Sequence, residues 1–418
     1  VALQDKSVIV IGGGIAGVTA SLELADQGVK VTLVEQDDFI GGHAALLACK
    51  ALESCQKCNG CLVEPRLLEI LRRPDIRVLR RSRLVKVDGG EGGYRIKLIQ
   101  QPAYIDPERC TACGLCLERC PEAVKGAIRK SPLAVDRPRL AINPSACLYF
   151  RDKKSTLCRD VCPEEAIRFD LSPEEISLEA DSLVLASGFE PYAAEGKIRY
   201  GYGKVPDVIT ALELESQLRR DGVVSRPSDG GQPKRVAFIQ CVGSREKIGN
   251  NYCSRVCCAY ALRLGRMLRH RFEAEVSVFY MDEQSFGHAL DDFLAAANEE
   301  LELIRSMPGD LSAGPEGGVL VQYQAESGQA PLFREFDLVV LSIGLTPGLA
   351  NPGLADLLKL ELDEHGFVGS TAGPLAANRK GQPGIFLAGT IARPMDVAEV
   401  VAHAGRAAAE TLSYLEGN

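Results

Sequence analysis

The sequence predicts an α/β protein of two nucleotide-type domains, with a small cysteine-rich module threaded into the first. Three observations carry that expectation. A β-branched run at 7–11 meets Gly12-Gly-Gly14-Ile15-Ala16-Gly17 and then a helical pattern. The stretch 104–166 holds Cys110-Thr-Ala-Cys113-Gly-Leu-Cys116-Leu-Glu-Arg-Cys120-Pro121, then Cys147, Cys158 and Cys162-Pro163. Beyond it, Leu183-Val-Leu-Ala-Ser187-Gly188 resumes the first domain, and Arg235-Val-Ala-Phe-Ile-Gln240 opens a second one. The expected division is 1–102 for the first domain, 103–172 for the module, 173–231 for the resumed domain and a linker, 232–347 for the second domain and 348–418 for the last part of the first.

In the first element, Gly28 stops the helix, 29–34 is the next strand and Glu35 ends it. This is G-x-G-x-x-G in strand–turn–helix–strand context, with an acid about twenty residues on. Gly12 makes the turn, Gly14 lets the backbone approach a pyrophosphate and Gly17 lets helix and strand pack. The helix N-terminus, at Ile15 and Ala16, faces the phosphates. Glu35 is placed to accept from a ribose 2′-hydroxyl.

Cys49 and then Cys55-Gln-Lys-Cys58-Asn-Gly-Cys61 follow. Three cysteines at this spacing can hold most of a cluster, with Cys49 or a distant thiol as the fourth ligand; free thiols or a redox-active pair are the alternative. His43 reads as a structural histidine. Residues 76–87 and 94–101 read as strands of a hairpin around 89–93.

The module carries C-x2-C-x2-C-x3-C-P, the bacterial ferredoxin spacing, in which the fourth cysteine ligates the other of two clusters. Zinc sites pair cysteines as C-x2-C without the x3-C-P tail. The first expected set is Cys110, Cys113, Cys116 and Cys162. The second is Cys120, Cys147 and Cys158, because Ser155 stands where the reverse spacing from Cys162-Pro163 asks for cysteine. A serine-ligated cubane, a three-iron cluster and an empty site all remain open.

In the second domain the strand ends not in glycines but in Cys241-Val-Gly-Ser-Arg245, followed by Tyr252-Cys253-Ser-Arg-Val-Cys257-Cys258 and a helix. Four thiols at a strand end and helix start can surround one cubane, and losing the glycine fingerprint argues against bound nicotinamide. Strands are expected at 276–281, 318–324 and 337–343, with a helix over 289–301. Ser342-Ile-Gly344 and Ile385-Phe-Leu-Ala-Gly389-Thr390 read as returning strands. Asp396-Val397 starts the last helix, whose N-terminus can stabilise an anionic ring system.

Composition sets bounds. At 418 residues there is room for two or three domains, and a net charge of −8 without a basic block makes nucleic acid a poor partner. Fifteen cysteines with no secretory pattern argue for metal ligation in a reducing cytoplasm. No apolar run reaches membrane-spanning length.

Together Gly12–Gly17, Cys58-Asn-Gly-Cys61-Leu-Val-Glu-Pro65, Cys147-Leu-Tyr-Phe, Ile239-Gln-Cys241-Val-Gly-Ser-Arg245 and Tyr252-Cys-Ser-Arg-Val-Cys-Cys258 resemble the A-type flavin subunits of heterodisulfide reductase and their relatives in quinone-interacting membrane-bound oxidoreductase complexes. The resemblance implies a thioredoxin-reductase-like flavoprotein scaffold, one FAD and two to four [4Fe-4S] clusters. FAD over NAD rests on it too, since the fingerprint is N-terminal and is followed by Gly41-Gly42. So do Ser187, Gly188, Gly389, Thr390, Asp396 and Val397 as flavin contacts. It implies an oxidoreductase component that relays electrons between flavin and clusters to B- and C-type partner subunits, with any membrane contact made through a partner. A flavin-based electron-bifurcating role and a stand-alone NAD(P)H-dependent reductase are the alternatives. Three departures stand out. These 418 residues do not include the family's extra terminal cluster modules, Ser155 interrupts the second ferredoxin motif, and Met395 replaces a lysine before Asp396, which argues for plain relay over bifurcation.

Overall fold

The structure is a computed structural model and describes residues 3–90, 92–133, 139–284, 291–324, 330–369 and 383–417. Its first sheet is parallel, in the order Ile385–Leu387, Ser182–Leu185, Ser7–Ile11, Lys30–Val34 and Ile76–Leu79. Both faces are covered, which is why its strands read as near-continuous apolar runs. Val10, Leu33, Leu183 and Leu387 are fully buried. Helices Ile15–Asp26 and Val397–Gly417 pack on one face and on each other. The other face is closed by helix Asn351–Leu358 and by an antiparallel sheet of Ser82–Gly90, Gly93–Gln100 and Glu174–Ala180.

The single strand expected over 76–87 is two strands. Arg81 adopts a left-handed φ of 55°, and Arg81 and Ser82 donate to the carbonyls of Asp37 and Glu35. The chain therefore turns out of the parallel sheet and into the antiparallel one.

That antiparallel sheet also positions the module. Gly93–Gln100 and Glu174–Ala180 are neighbours in register, Gln100 opposite Glu174, so the chain leaves and returns at one place. The module has its own core of Ile105, Ile128, Leu140, Ile142, Ile167 and Phe169, with Tyr149 stacked on Phe169 at 4.1 Å. Arg129 anchors it to the first domain through Asp37 at 2.8 and 2.6 Å and Asp38 at 2.7 Å.

The second sheet is also parallel: Val208–Thr210, Leu338–Ile343, Arg235–Val242, Glu275–Phe279 and Glu302–Ile304. Its edge strand Val208–Thr210 and the helix Ala211–Asp221 lie in the stretch expected to be linker. Thr210 and Glu213 form a capping box that starts this helix. A meander of Asp310–Ala313, Val319–Tyr323 and Leu332–Phe336 lies beside it. Helix Asp291–Glu300 matches the expected one, whose first two residues, 289 and 290, lie outside the described residues. Phe189–Pro191 and Leu345–Pro347 pair antiparallel where the chain crosses between domains.

Candidate functional site

The glycine turn closes tightly. Gly12 has a φ of 111°, and a Cβ there would lie 2.2 Å from the Ala186 carbonyl oxygen. A Cβ on Gly17 would lie 1.8 Å from the Gly12 oxygen. Gly14, by contrast, faces open space, as does Gly188. Gly41 donates to the Gly13 carbonyl at 2.7 Å, and Gly42 comes up against Gly14. The backbone N–H groups of Ile15 and Ala16, in the first turn of their helix, have no partner within it.

Glu35 is buried at the end of its strand. Its carboxylate accepts from Gly13 N–H at 2.7 Å and from Asp37 N–H at 2.7 Å. Burial raises its pKa above 4.5, against those same hydrogen bonds, which lower it. Four lone-pair directions leave it able to accept from a ribose as well.

Across the strand ends, Ser187 donates to Asn351 at 2.8 Å. Gly389 fits against Ala16, where a Cβ would come within 2.6 Å of the alanine methyl, and its N–H donates to His403 Nδ1 at 2.9 Å. Thr390 is buried beside it. Asp396 caps the last helix in a reciprocal box: it accepts from Glu399 N–H at 2.8 Å, and its own N–H donates to Glu399 at 3.1 Å. Met395 is buried, and Arg393 lies 3.9 Å from the Glu399 carboxylate. His43 sits 4.9 Å from the Phe189 ring, and burial lowers its pKa.

The module's thiols fall into two sets. Cys110, Cys113, Cys116 and Cys162 line one pocket with Ile105, Leu140 and Ile167. Burial pushes the Cys116 thiol up to about 11, and the charges of Cys110, Cys113 and Cys162 add to it. Cys120, Cys147 and Cys158 form the second set: burial pushes Cys158 up to about 12, helped by Cys147 and Cys120.

A third set closes the strand Arg235–Val242. Cys241 is buried in a left-handed conformation, φ 57°, and burial raises it to about 11, with Cys258 and Cys253 adding. Cys257, at the start of helix Cys257–Phe272, is buried, and the charges of Cys241, Cys258 and Cys253 add to the burial that raises its pKa. The loop 243–256 is held in place by Arg245 on Asp282 at 2.9 Å, Tyr252 on the Leu345 carbonyl at 3.0 Å and Ser254 accepting from Leu345 N–H at 2.9 Å. Gly243 lies flat under the Tyr192 ring, where a Cβ would come within 2.0 Å.

Cys55 and Cys61 are exposed and Cys58 half-buried, on the segment that runs into the short helical turn Gly60–Leu62, and Cys49 upstream is exposed as well. The loop is seated on the second domain. Arg263 donates to the Gln56 carbonyl at 2.8 Å, and Glu215 accepts from Ala48 N–H at 3.0 Å while pairing with the buried Lys50. Arg263 faces Cys58, Asp396 and Cys55 at once, and burial lowers its pKa. Sequence reasoning missed Arg255, Arg263, Lys50, Glu215 and Tyr192. Only the Asp-x-x-Glu capping pattern at 396–399 had a local signal.

Residues 6–409 match the family described as pyridine nucleotide-disulphide oxidoreductase. The chain belongs to that family. It shares the fold of the thioredoxin reductase of Lactococcus lactis, which it matches with a TM-score of 0.54 at 15% identity, over 99% of this chain and 100% of that one. Within the pyridine nucleotide-disulphide oxidoreductases it is like the A-type subunits of heterodisulfide reductase. The A-type iron-sulfur subunit of CoB–CoM heterodisulfide reductase from Methanocaldococcus jannaschii is 36% identical over 433 residues, covering 99% of this chain and 65% of that protein. The A-type subunit of H2:CoB–CoM heterodisulfide,ferredoxin reductase from Methanothermobacter marburgensis is 34% identical over 422 residues, covering 98% and 64%. The chain thus spans less than two thirds of these relatives. Among the described residues no helix is long and apolar enough to cross a membrane.

Proposed function

We propose that this chain is the FAD and iron–sulfur electron-transfer core of a heterodisulfide-reductase-like complex. In this reading the flavin exchanges electrons in pairs and singly, and the clusters carry single electrons. The chain's own residues bind, orient and connect. Gly12, Gly14 and Gly17, with the N–H groups of Ile15 and Ala16, hold the pyrophosphate. Glu35 takes the ribose. The N-terminus of helix Val397–Gly417, capped by Asp396, faces the ring system with its positive dipole end. The thiols Cys110, Cys113, Cys116 and Cys162 hold one cluster and Cys241, Cys253, Cys257 and Cys258 another. B- and C-type subunits take up the electrons, and membrane contact, where it occurs, is theirs.

One observation carries this reading. The four-thiol set stands at the end of strand Arg235–Val242, where a nicotinamide reductase turns around its phosphates, and Arg255 of the same loop reaches Glu399 in the first turn of helix Val397–Gly417 at 2.6 Å. The Tyr192 ring covering Gly243 supports it, because a nucleotide phosphate needs the backbone that this ring covers. An anaerobic redox titration tests the proposal, following flavin absorbance and cluster paramagnetism together. Flavin and clusters should reduce with low-potential reductant, while NADH and NADPH leave the flavin yellow. Rapid bleaching by either nucleotide would replace this reading with a nicotinamide-dependent reductase.

A further inference from the structure

The module's seven thiols divide as four and three. Cys116, Cys147 and Cys158 are buried in one small core, with Cys110, Cys120 and Cys162 packed against it, so the two sets are adjacent. Helices Leu115–Arg119 and Leu157–Asp160 pack together and bring Cys116 and Cys158 within reach of each other's charge. Cys120 starts the second set from a chain turn, with its N–H on the Leu117 carbonyl at 3.4 Å. Cys147 caps helix Leu148–Asp152, with its N–H on the Asn143 carbonyl at 3.0 Å.

The fourth corner is different. Reading back from Cys162-Pro163, its ligand position is Ser155. This residue is half-buried in the turn between helices Leu148–Asp152 and Leu157–Asp160, and Lys153, Lys154 and Leu157 around it are exposed. Ser155 is thus as open to water as Cys120, whereas Cys147 and Cys158 are buried. A serine hydroxyl holds its proton at neutral pH and is a hard donor, poorly matched to a sulfide-rich iron centre.

We propose that Cys120, Cys147 and Cys158 hold a cluster whose fourth iron, at the Ser155 corner, is bound by no protein thiolate and exchanges with solution. With iron and reductant present it is a four-iron cluster. A one-electron oxidant of the ferricyanide type converts it: [4Fe-4S]2+ gives [3Fe-4S]+, Fe2+ and one electron, which the oxidant takes. Ferrous iron with a low-potential reductant reverses the step. The module thus holds one permanent electron carrier, at Cys110, Cys113, Cys116 and Cys162, and one conditional carrier that iron supply and oxidation switch.

The inference rests on the iron–sulfur reading above, and the first set serves as its internal reference. The full chain, purified anaerobically, is titrated with ferricyanide while iron per chain and low-temperature electron paramagnetic resonance are followed. The expected result is loss of one iron per chain, appearance of a three-iron signal, and reversal by Fe2+ with dithionite. Ser155→Cys should keep that iron and show no three-iron signal. Ser155→Ala should behave as the wild type. The inference is overturned if the wild type keeps all its iron and Ser155→Ala loses one, since serine is then a true ligand. It is equally overturned if Cys158→Ala leaves the iron content unchanged, since the second set is then empty. Failure of the wider reading is distinct: neither set gives a cluster signal, and Cys116→Ala changes nothing.

Discussion

The guanidinium of Arg255 meets the carboxylate of Glu399 at 2.6 Å, joining the loop between Cys253 and Cys257 to the first turn of helix Val397–Gly417. Arg255 follows a strand of the second parallel sheet, and the helix of Glu399 packs on the first. Glu399 is also one half of the capping box with Asp396, so a single carboxylate serves both the helix start and the domain contact.

Both side chains are about three-tenths exposed, so the pair is worth about 1 kcal/mol. A double-mutant cycle with Arg255→Ala and Glu399→Ala should return a coupling of that size in thermal unfolding. It should also return slowed electron exchange between flavin and the Cys241 set, read by rapid mixing. Zero coupling in both would make the contact incidental.

Two glycines separate folding from binding. Gly17→Ala drives a Cβ into the Gly12 carbonyl, so the chain should fail to fold. Gly14→Ala meets nothing within 4 Å, so the apo protein should melt as the wild type does. If Gly14 backs a pyrophosphate, the same change should weaken FAD binding at least about tenfold, or about 1.4 kcal/mol. Equilibrium dialysis decides; unchanged affinity would move the phosphates elsewhere.

Lys50 and Glu215 form a buried ion pair, with side chains 4% and 5% exposed, that also holds the loop through the N–H and carbonyl of Ala48. Removing one charge leaves the other stranded. Glu215→Ala should cost about 3–5 kcal/mol and open 48–61 to protease. Lys50→Met with Glu215→Leu should recover most of the loss. Cleavage mapping by mass spectrometry checks both.

Glu35 gives a pH dependence with a definite sign. Burial raises its folded pKa above the ordinary 4.5, so the folded state holds the proton more tightly than the unfolded one. The stability this contributes is complete below about 4.5 and is lost as the pH rises through the raised value. Melting temperatures of the apo protein across that window should fall for the wild type and run flatter for Glu35→Gln. Parallel curves would assign the dependence to another group.

Much of this arrangement was legible locally. The turn at Gly12–Gly17 is a short-range pattern with a steric meaning, and the ferredoxin-type spacing is equally local: Cys110, Cys113, Cys116 and Cys162 line one pocket. Arg81 was not legible: a left-handed arginine splits one apolar run into two sheets, and no glycine marks it. Val208–Thr210 was too short to stand out from a linker and becomes a strand only by pairing with Leu338–Ile343. Lys50, Glu215, Arg255, Arg263 and Tyr192 owe their roles to partners far away in sequence, so nothing beside them announces what they do.

The parallel sheet of the first domain is completed by Ile385–Leu387, which pairs with Ser182–Leu185 from just over two hundred residues earlier. On the ribosome, then, the cysteines from 110 to 162 emerge and can fold around their own core long before that sheet can close. Assembly has a fixed order: the module can build its core of Ile105, Ile128, Leu140, Ile142, Ile167 and Phe169 during translation, whereas the first sheet closes only after Ile385–Leu387 has emerged.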